Sequence, residues 1–166
     1  MINSITLDAI DLRILQELQH DAGRSNQALA AQIHVSPATA LRRVNRLTEV
    51  GLIARQVALL DPQRLKASIT AILEVTLERQ DAETLAAFEA RVEVEAAVLQ
   101  CYRVSAGPDF VLIVQTLDMS AYQSLVENLL NTANQVRNVR AFFSTKRAKF
   151  LTEIPAKILA ASAKLD

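Results

Sequence analysis

The chain has 166 residues, 51% of them hydrophobic and 22% charged, with Lys and Arg balancing Asp and Glu at 18 each. That is room for one medium domain or two small ones with a packed core, and the neutral balance excludes a partner chosen by bulk charge. One cysteine, Cys101, excludes an internal disulfide framework; "MINSITLDAI" lacks the basic and apolar regions of a signal peptide, no apolar run approaches a membrane span, and a cytoplasmic protein is expected.

Residues 8–21, "DAIDLRILQELQHD", place Ile10, Ile14, Leu15 and Leu18 at helical spacing, with Asp8 as N-cap and Asp11 three positions on. A short second helix starts at the cap residue Ser25, with Leu29 and Ile33 four apart. The third, in "HVSPATALRRVNRLTEVG", has Ser36 as N-cap, Pro37 at the first helical position and Gly51 as its stop. After Gly51 the period changes, and "LIARQVALL" predicts a strand or β-ribbon ending at the Asp61-Pro62 turn. The expected division is 1–60 as a first domain, 61–67 as a linker, 68–155 as a second domain and 156–166 as a short tail, helical and frayed.

From Ser68 the pattern alternates: Ile69, Ala71, Leu73, Val75 and Leu77 point one way, Thr70, Ile72, Glu74 and Thr76 the other. A helix over 81–93 follows, then strands at 98–105 and 110–117. Asp118 or Ser120 begins a helix with Tyr122, Leu125, Val126 and Leu129 on one face, and a last strand runs from Val139 to Phe150. The order β-α-β-β-α-β is the ferredoxin-like arrangement, so the fold class is α+β: three helices, a wing, a linker and a ferredoxin-like domain. Helices cover one face of such a sheet. Apolar residues on both faces of the first and third strands therefore call for a second copy of the chain on the other face.

The third helix carries the chemistry. At about 100° per residue, Ala40, Leu41, Val44 and Leu47 fall to one side and Thr39, Arg42, Arg43 and Arg46 to the other. Between Ser36 and Arg55 four arginines face one acid, Glu49. Arginine pairs with guanine edges in the major groove and displaces counterions from phosphates. A solvated basic face would look the same, but a capped helix one short turn after another is what a helix-turn-helix presents to DNA.

The stretch from Leu7 to Pro62 resembles the winged helix-turn-helix of the Lrp/AsnC family of regulators. It does so through "LDAIDLRIL", the "LA" of residues 29–30, the "VS" of 35–36, "RVNRLTEVGLI" from Arg43 and "LDP" at 60–62. The resemblance implies double-stranded DNA as partner, with contacts from Ser36, Thr39, Arg42, Arg43 and Arg46, and with Arg24 and Ser25 beside phosphates. The family often has Gly where this chain has His34; if that turn needs positive φ, His34 is strained there.

"VSAGPDFVL", "LDMSAY" and "RAKFLTEIP" resemble the family's second module, the regulatory domain of amino-acid metabolism. That resemblance implies a homodimer assembling to an octamer or larger, and an amino-acid effector. It places the effector pocket at the loop of Ala106, Gly107, Pro108 and Asp109, with Ala141 and Phe143 across it. Backbone N–H groups of a tight loop could hold the carboxylate of such an effector and Asp109 its ammonium; equally, Gly107-Pro108 can be a plain turn with Asp109 capping local backbone. Ala106 stands where the family has Gly, Pro108 where it has an aromatic or polar residue, and Ala141 where it has Thr. No cofactor, metal or catalytic group is expected. Cys101, His20 and His34 lack ligand spacing, and the second domain has no His. Two alternatives stay open: an architectural DNA-binding protein without an effector, and a relative of the sirohaem decarboxylases that share this architecture.

Overall fold

Asp8 opens the first helix of the computed structural model, which describes residues 6–64 and 68–162. Its carboxylate accepts the Ile10 and Asp11 backbone N–H groups, and Asp11 returns the bond to the Asp8 N–H, a reciprocal cap. The helix, α1, is Ala9–His20. Next come α2, Asn26–Gln32, capped by the Ser25 hydroxyl on Ala28 N–H, and α3, Pro37–Glu49, capped by Ser36. The turn between them needs a left-handed residue, and His34 supplies it at φ 58°. Gly51, at φ 77°, ends α3 and lets Leu52 N–H reach back to Leu47 O.

Ile14, Leu29, Ile33, Ala40 and Leu47 form the core of this first unit. It has one contributor from far along the chain. A short helix, Ala156–Ser162, buries Leu159 in the same core. Upstream of it, Ile154 N–H donates to Gln19 Oε1 at 2.6 Å and Gln19 Nε2 donates to Ile154 O at 3.3 Å. The described contacts thus group residues up to Leu59 with those from Lys149 onward, and Leu60–Ala148 as a second unit. The tail is helical over Ala156–Ser162, as expected, but packed there rather than frayed, because Leu159 finds its partners among the helices, and residues from Lys149 on group with them by contact. Among the described residues the expected strand over 52–60 does not form: no ladder runs along this segment, where Val57, Leu59 and Leu60 are exposed. Of the expected linker, Pro62–Arg64 makes a single 3-10 turn and 65–67 lie outside the described residues.

The second unit runs β1 Ile69–Leu77, α4 Ala82–Val94, β2 Val98–Arg103, β3 Phe110–Thr116, α5 Met119–Leu129 and β4 Val136–Phe143. The sheet is antiparallel in the order β2-β3-β1-β4, the split β-α-β arrangement read from the sequence. Every second residue of β3, and of β1 from Ala71 on, is buried: Ala71, Leu73, Val75 and Leu77 register with or beside Val114, Leu112 and Phe110. Phe88 of α4 and Leu125 and Leu129 of α5 close over them. The last strand starts and ends earlier than expected. Gln135, in the left-handed region at φ 61°, turns the chain into Val136, and pairing with β1 stops at Ala71–Phe143.

The other face of the sheet carries Ile72, Val111, Ile113, Tyr102 and Phe142. Ile72, Tyr102 and Phe142 are 39%, 53% and 45% exposed. Glu74 and Arg140 pair across β1 and β4 at 3.0 Å on this face, with the Arg140 guanidinium 5.3 Å from the Phe142 ring centre. Among the described residues no helix is long and apolar enough to cross a membrane.

Candidate functional site

The start of α3 is held twice. Ser36 Oγ accepts Thr39 N–H at 3.2 Å and lies 2.8 Å from Thr39 Oγ1, while Asn26 Nδ2 donates to Pro37 O at 2.8 Å, tying the first turn of α3 to that of α2. Ser25 and Ser36 therefore act as helix caps, with hydroxyls already engaged by backbone.

Ala40 and Leu47 are fully buried and Val44 packs beside them. On a 3.6-residue helix the opposite direction belongs to Ala38, Arg42, Asn45 and Glu49, and all four are exposed. This face differs from the expected one at three points. Leu41, expected inside, is 50% exposed, because it lies roughly a quarter turn from the core direction. Asn45, one turn from Arg42, was not singled out; its amide can read an adenine edge. Arg43, expected outside, flanks the buried side and points into the seam with α1.

In that seam Asp11 is buried, only 1% exposed. Arg43 Nη1 donates to Asp11 Oδ1 at 2.9 Å and to Asp8 Oδ2 at 2.7 Å, and Arg46 Nη2 donates to Asp11 Oδ2. Arg43 Nε is buried with no hydrogen-bond partner among the described residues. The hydrogen bonds it donates to Asp8 and Asp11 push the Arg43 guanidinium further above its ordinary value. Desolvation pushes the Asp8 carboxyl up, but the Asp11 backbone N–H and the Arg43 guanidinium outweigh it and hold the group below its ordinary value. Arg46 stays 45% exposed in its side chain and keeps an outer edge toward solvent. Thr6, Asp8, Asp11, Arg42, Arg43 and Arg46 line a depression of about 370 Å³ there. Arg24 is similarly occupied: Nη1 meets Glu17 Oε2, and Nε lies 3.5 Å from Asp21 Oδ2. Of the expected DNA contacts, Arg42 is thus the arginine that makes no ion pair among the described residues. The sequence held a signal for the seam: two acids and two arginines, each pair spaced i, i+3, on helices destined to touch.

In the second unit, Gly107 takes φ 86° and makes the turn with Pro108 between β2 and β3. Asp109 then ties three strands together. Its N–H donates to Val75 O at 2.9 Å, its carbonyl accepts Val104 N–H at 3.0 Å, and its Oδ2 accepts Leu77 N–H at 2.7 Å. The carboxylate thus bonds backbone, as in the capping alternative, but a strand N–H 32 residues away rather than a local one. Ala106 and Gly107 are exposed. Ala141 and Phe143 sit on β4, in register with Leu73 and Ala71 on the helix-covered face, and Phe143 meets Tyr122 edge-on at 5.0 Å. Within one chain β1 separates this pair from the loop, two strand spacings or about 10 Å. The two expected halves of an effector pocket do not meet in a single chain. Among the described residues no group of three His, Cys, Asp or Glu side chains could hold a metal ion.

Residues 7–48 match the family model for the AsnC-type helix-turn-helix domain, and residues 70–154 that for the Lrp/AsnC ligand binding domain. The chain is 35% identical over 140 residues to the Bkd operon transcriptional regulator of Pseudomonas aeruginosa, covering 84% of this chain and 92% of that protein. It is 36% identical over 143 residues to the leucine-responsive regulatory protein of Salmonella typhimurium, covering 86% and 87%. Among solved structures it is similar to a Neisseria meningitidis transcriptional regulator in complex with L-Met, at a TM-score of 0.84 and 29% identity over 93% of this chain and 99% of that one. An AsnC family transcriptional regulator from Agrobacterium tumefaciens gives 0.84 and 29% over 92% and 99%.

Proposed function

This chain belongs to the Lrp/AsnC family of DNA-binding transcriptional regulators, and we propose that its two units divide the work, the first reading a specific duplex site and the second sensing an amino acid. In the first unit α3 enters the major groove with Arg42 and Asn45 toward base edges and the outer edge of Arg46 toward a phosphate. Ser36 and Thr39 fix where the helix begins. The observation that carries this assignment is the capped, exposed face of Ala38, Arg42, Asn45 and Glu49 opposite a fully buried Ala40 and Leu47.

In the second unit the effector is an amino acid or a close derivative. The L-Met complex of the Neisseria meningitidis relative supports this class. The separation of the 106–109 loop from Ala141 and Phe143 supports a pocket completed by another copy of the chain. The uncovered sheet face supports pairing into a dimer, since Ile72, Tyr102 and Phe142 lose exposed apolar area when a second copy covers them. Two recognition helices then address two half-sites about one DNA turn apart. The protein works in the cytoplasm as a regulator and not as an enzyme.

The test is selection of duplexes from a random pool, followed by fluorescence anisotropy with each of the twenty amino acids at millimolar concentration. One of them should change affinity for the selected duplex about 5-fold or more, the range of ordinary allosteric coupling. A flat panel with intact DNA binding would leave the architectural role.

A further inference from the structure

We propose that Asp11, seconded by Asp8, is a positioning residue that sets how much of the recognition helix's charge reaches DNA. This rests on the assignment of α3 as the DNA-reading element. Three arginines of α3 carry its positive charge, and two of them are partnered from α1. Arg43 bridges Asp8 and Asp11 with one nitrogen, at 2.7 and 2.9 Å, and Arg46 turns one edge onto Asp11. A carboxylate offers a guanidinium the same paired oxygens as a phosphate, so an arginine held by one is withheld from the other. Burial strengthens the hold. Asp11 has almost no solvent to replace lost partners, so releasing Arg43 and Arg46 would strand a buried charge.

The consequence is a face on which bases are read and phosphates are gripped sparingly. Asp8, Asp11, Arg43 and Arg46 together are neutral, leaving Arg42 as the fully committed cation. Phosphate contacts bind any sequence, whereas base contacts discriminate. Intramolecular carboxylates that hold two arginines therefore lower affinity for all duplexes and raise the ratio of specific to non-specific binding. The depression lined by Thr6, Asp8, Asp11 and Arg42 opens the cluster to an approaching phosphate, so the competition is geometrically available.

The experiment uses the full-length protein, a 30-bp mixed-sequence duplex and a duplex selected by the wild type from a random pool, titrated by anisotropy across about 50–300 mM KCl. Asp11→Asn keeps the shape of the side chain and removes its charge. It should bind the mixed duplex several-fold more tightly at low salt. The slope of log K against log salt should steepen by about 0.9 for each recognition helix engaged, the value of one added phosphate contact, and the ratio of selected to mixed affinity should fall. Asp8→Asn, which preserves a good N-cap, should move the same quantities the same way by less, and it carries the test if Asp11→Asn does not fold. An unchanged slope and ratio in the folded variants overturns the proposal, since a purely structural Asp11 would change melting and leave the slope alone. Arg42→Ala separates the two levels. If it leaves both duplexes bound as before, the assignment of α3 fails; if it weakens binding while the acid variants leave the slope unchanged, only the positioning role fails.

Discussion

Replacing Asp109 by Ala tests whether this acid is a strut or a ligand group. Its Oδ2 accepts the Leu77 N–H at 2.7 Å, beside the bulge at Thr76/Leu77 where the β1–β4 register shifts. Leu77 is 1% exposed, so water does not readily replace a lost acceptor. A hydrogen bond to a charged group contributes about 1.5–3 kcal/mol, and Asp109 is only half-buried, which places the loss near the lower end, about 1.5–2 kcal/mol. With a urea m-value of about 2 kcal/mol/M, the unfolding midpoint falls by about 0.8–1 M. Asp109→Asn retains an acceptor oxygen and should recover most of that shift. The assay is urea unfolding followed by circular dichroism, repeated with the amino acid that most raises the wild-type midpoint. An Asp109→Ala midpoint equal to the wild type, together with loss of the amino-acid shift, would refute the strut and make Asp109 an effector contact alone.

Ser36→Ala removes the α3 cap and should cost about 1 kcal/mol, while Ser36→Gly costs a few tenths, as thermal melts of the three proteins will show. His34→Gly should stabilise by about 0.5–1 kcal/mol. The left-handed conformation costs an L-residue roughly 1–2 kcal/mol, partly offset by the added chain freedom of glycine, and a lower melting temperature would contradict the strain. For Asp8 the folded carboxyl lies below its ordinary value, so its contribution is complete above the unfolded value and is lost as pH falls through the folded one. The stability gap between wild type and Asp8→Asn should therefore be constant near neutrality and close under acid, and a gap that persists unchanged to the lowest pH at which both fold would refute the linkage.

What could be read from the sequence follows the range of the interactions that write it. Caps are local: Asp8, Ser25 and Ser36 each bond a backbone N–H two or three residues away, so the residue and its neighbours are enough. The alternation of β1 is local too, and it carries the buried and open faces of the sheet with it. The strand over 52–60 failed for the opposite reason. "LIARQVALL" has the composition of a strand, but a strand exists only with a partner, and partner choice is not written in nine residues. The DNA face failed halfway along the same divide. A wheel orders residues by angle but does not say where the core lies, and Arg43 sits near the border between the two sides. Its fate was decided by two acids more than thirty positions away, on a helix whose crossing with α3 brings them within 3 Å. Asp8 and Asp11 were legible as caps and illegible as ion partners, because a cap is set by sequence neighbours and an ion pair by packing. The effector residues divide in the same way. The turn at Gly107-Pro108 could be read from its residue types, whereas the distance from it to Ala141 and Phe143 depends on strand order, which places β1 between them.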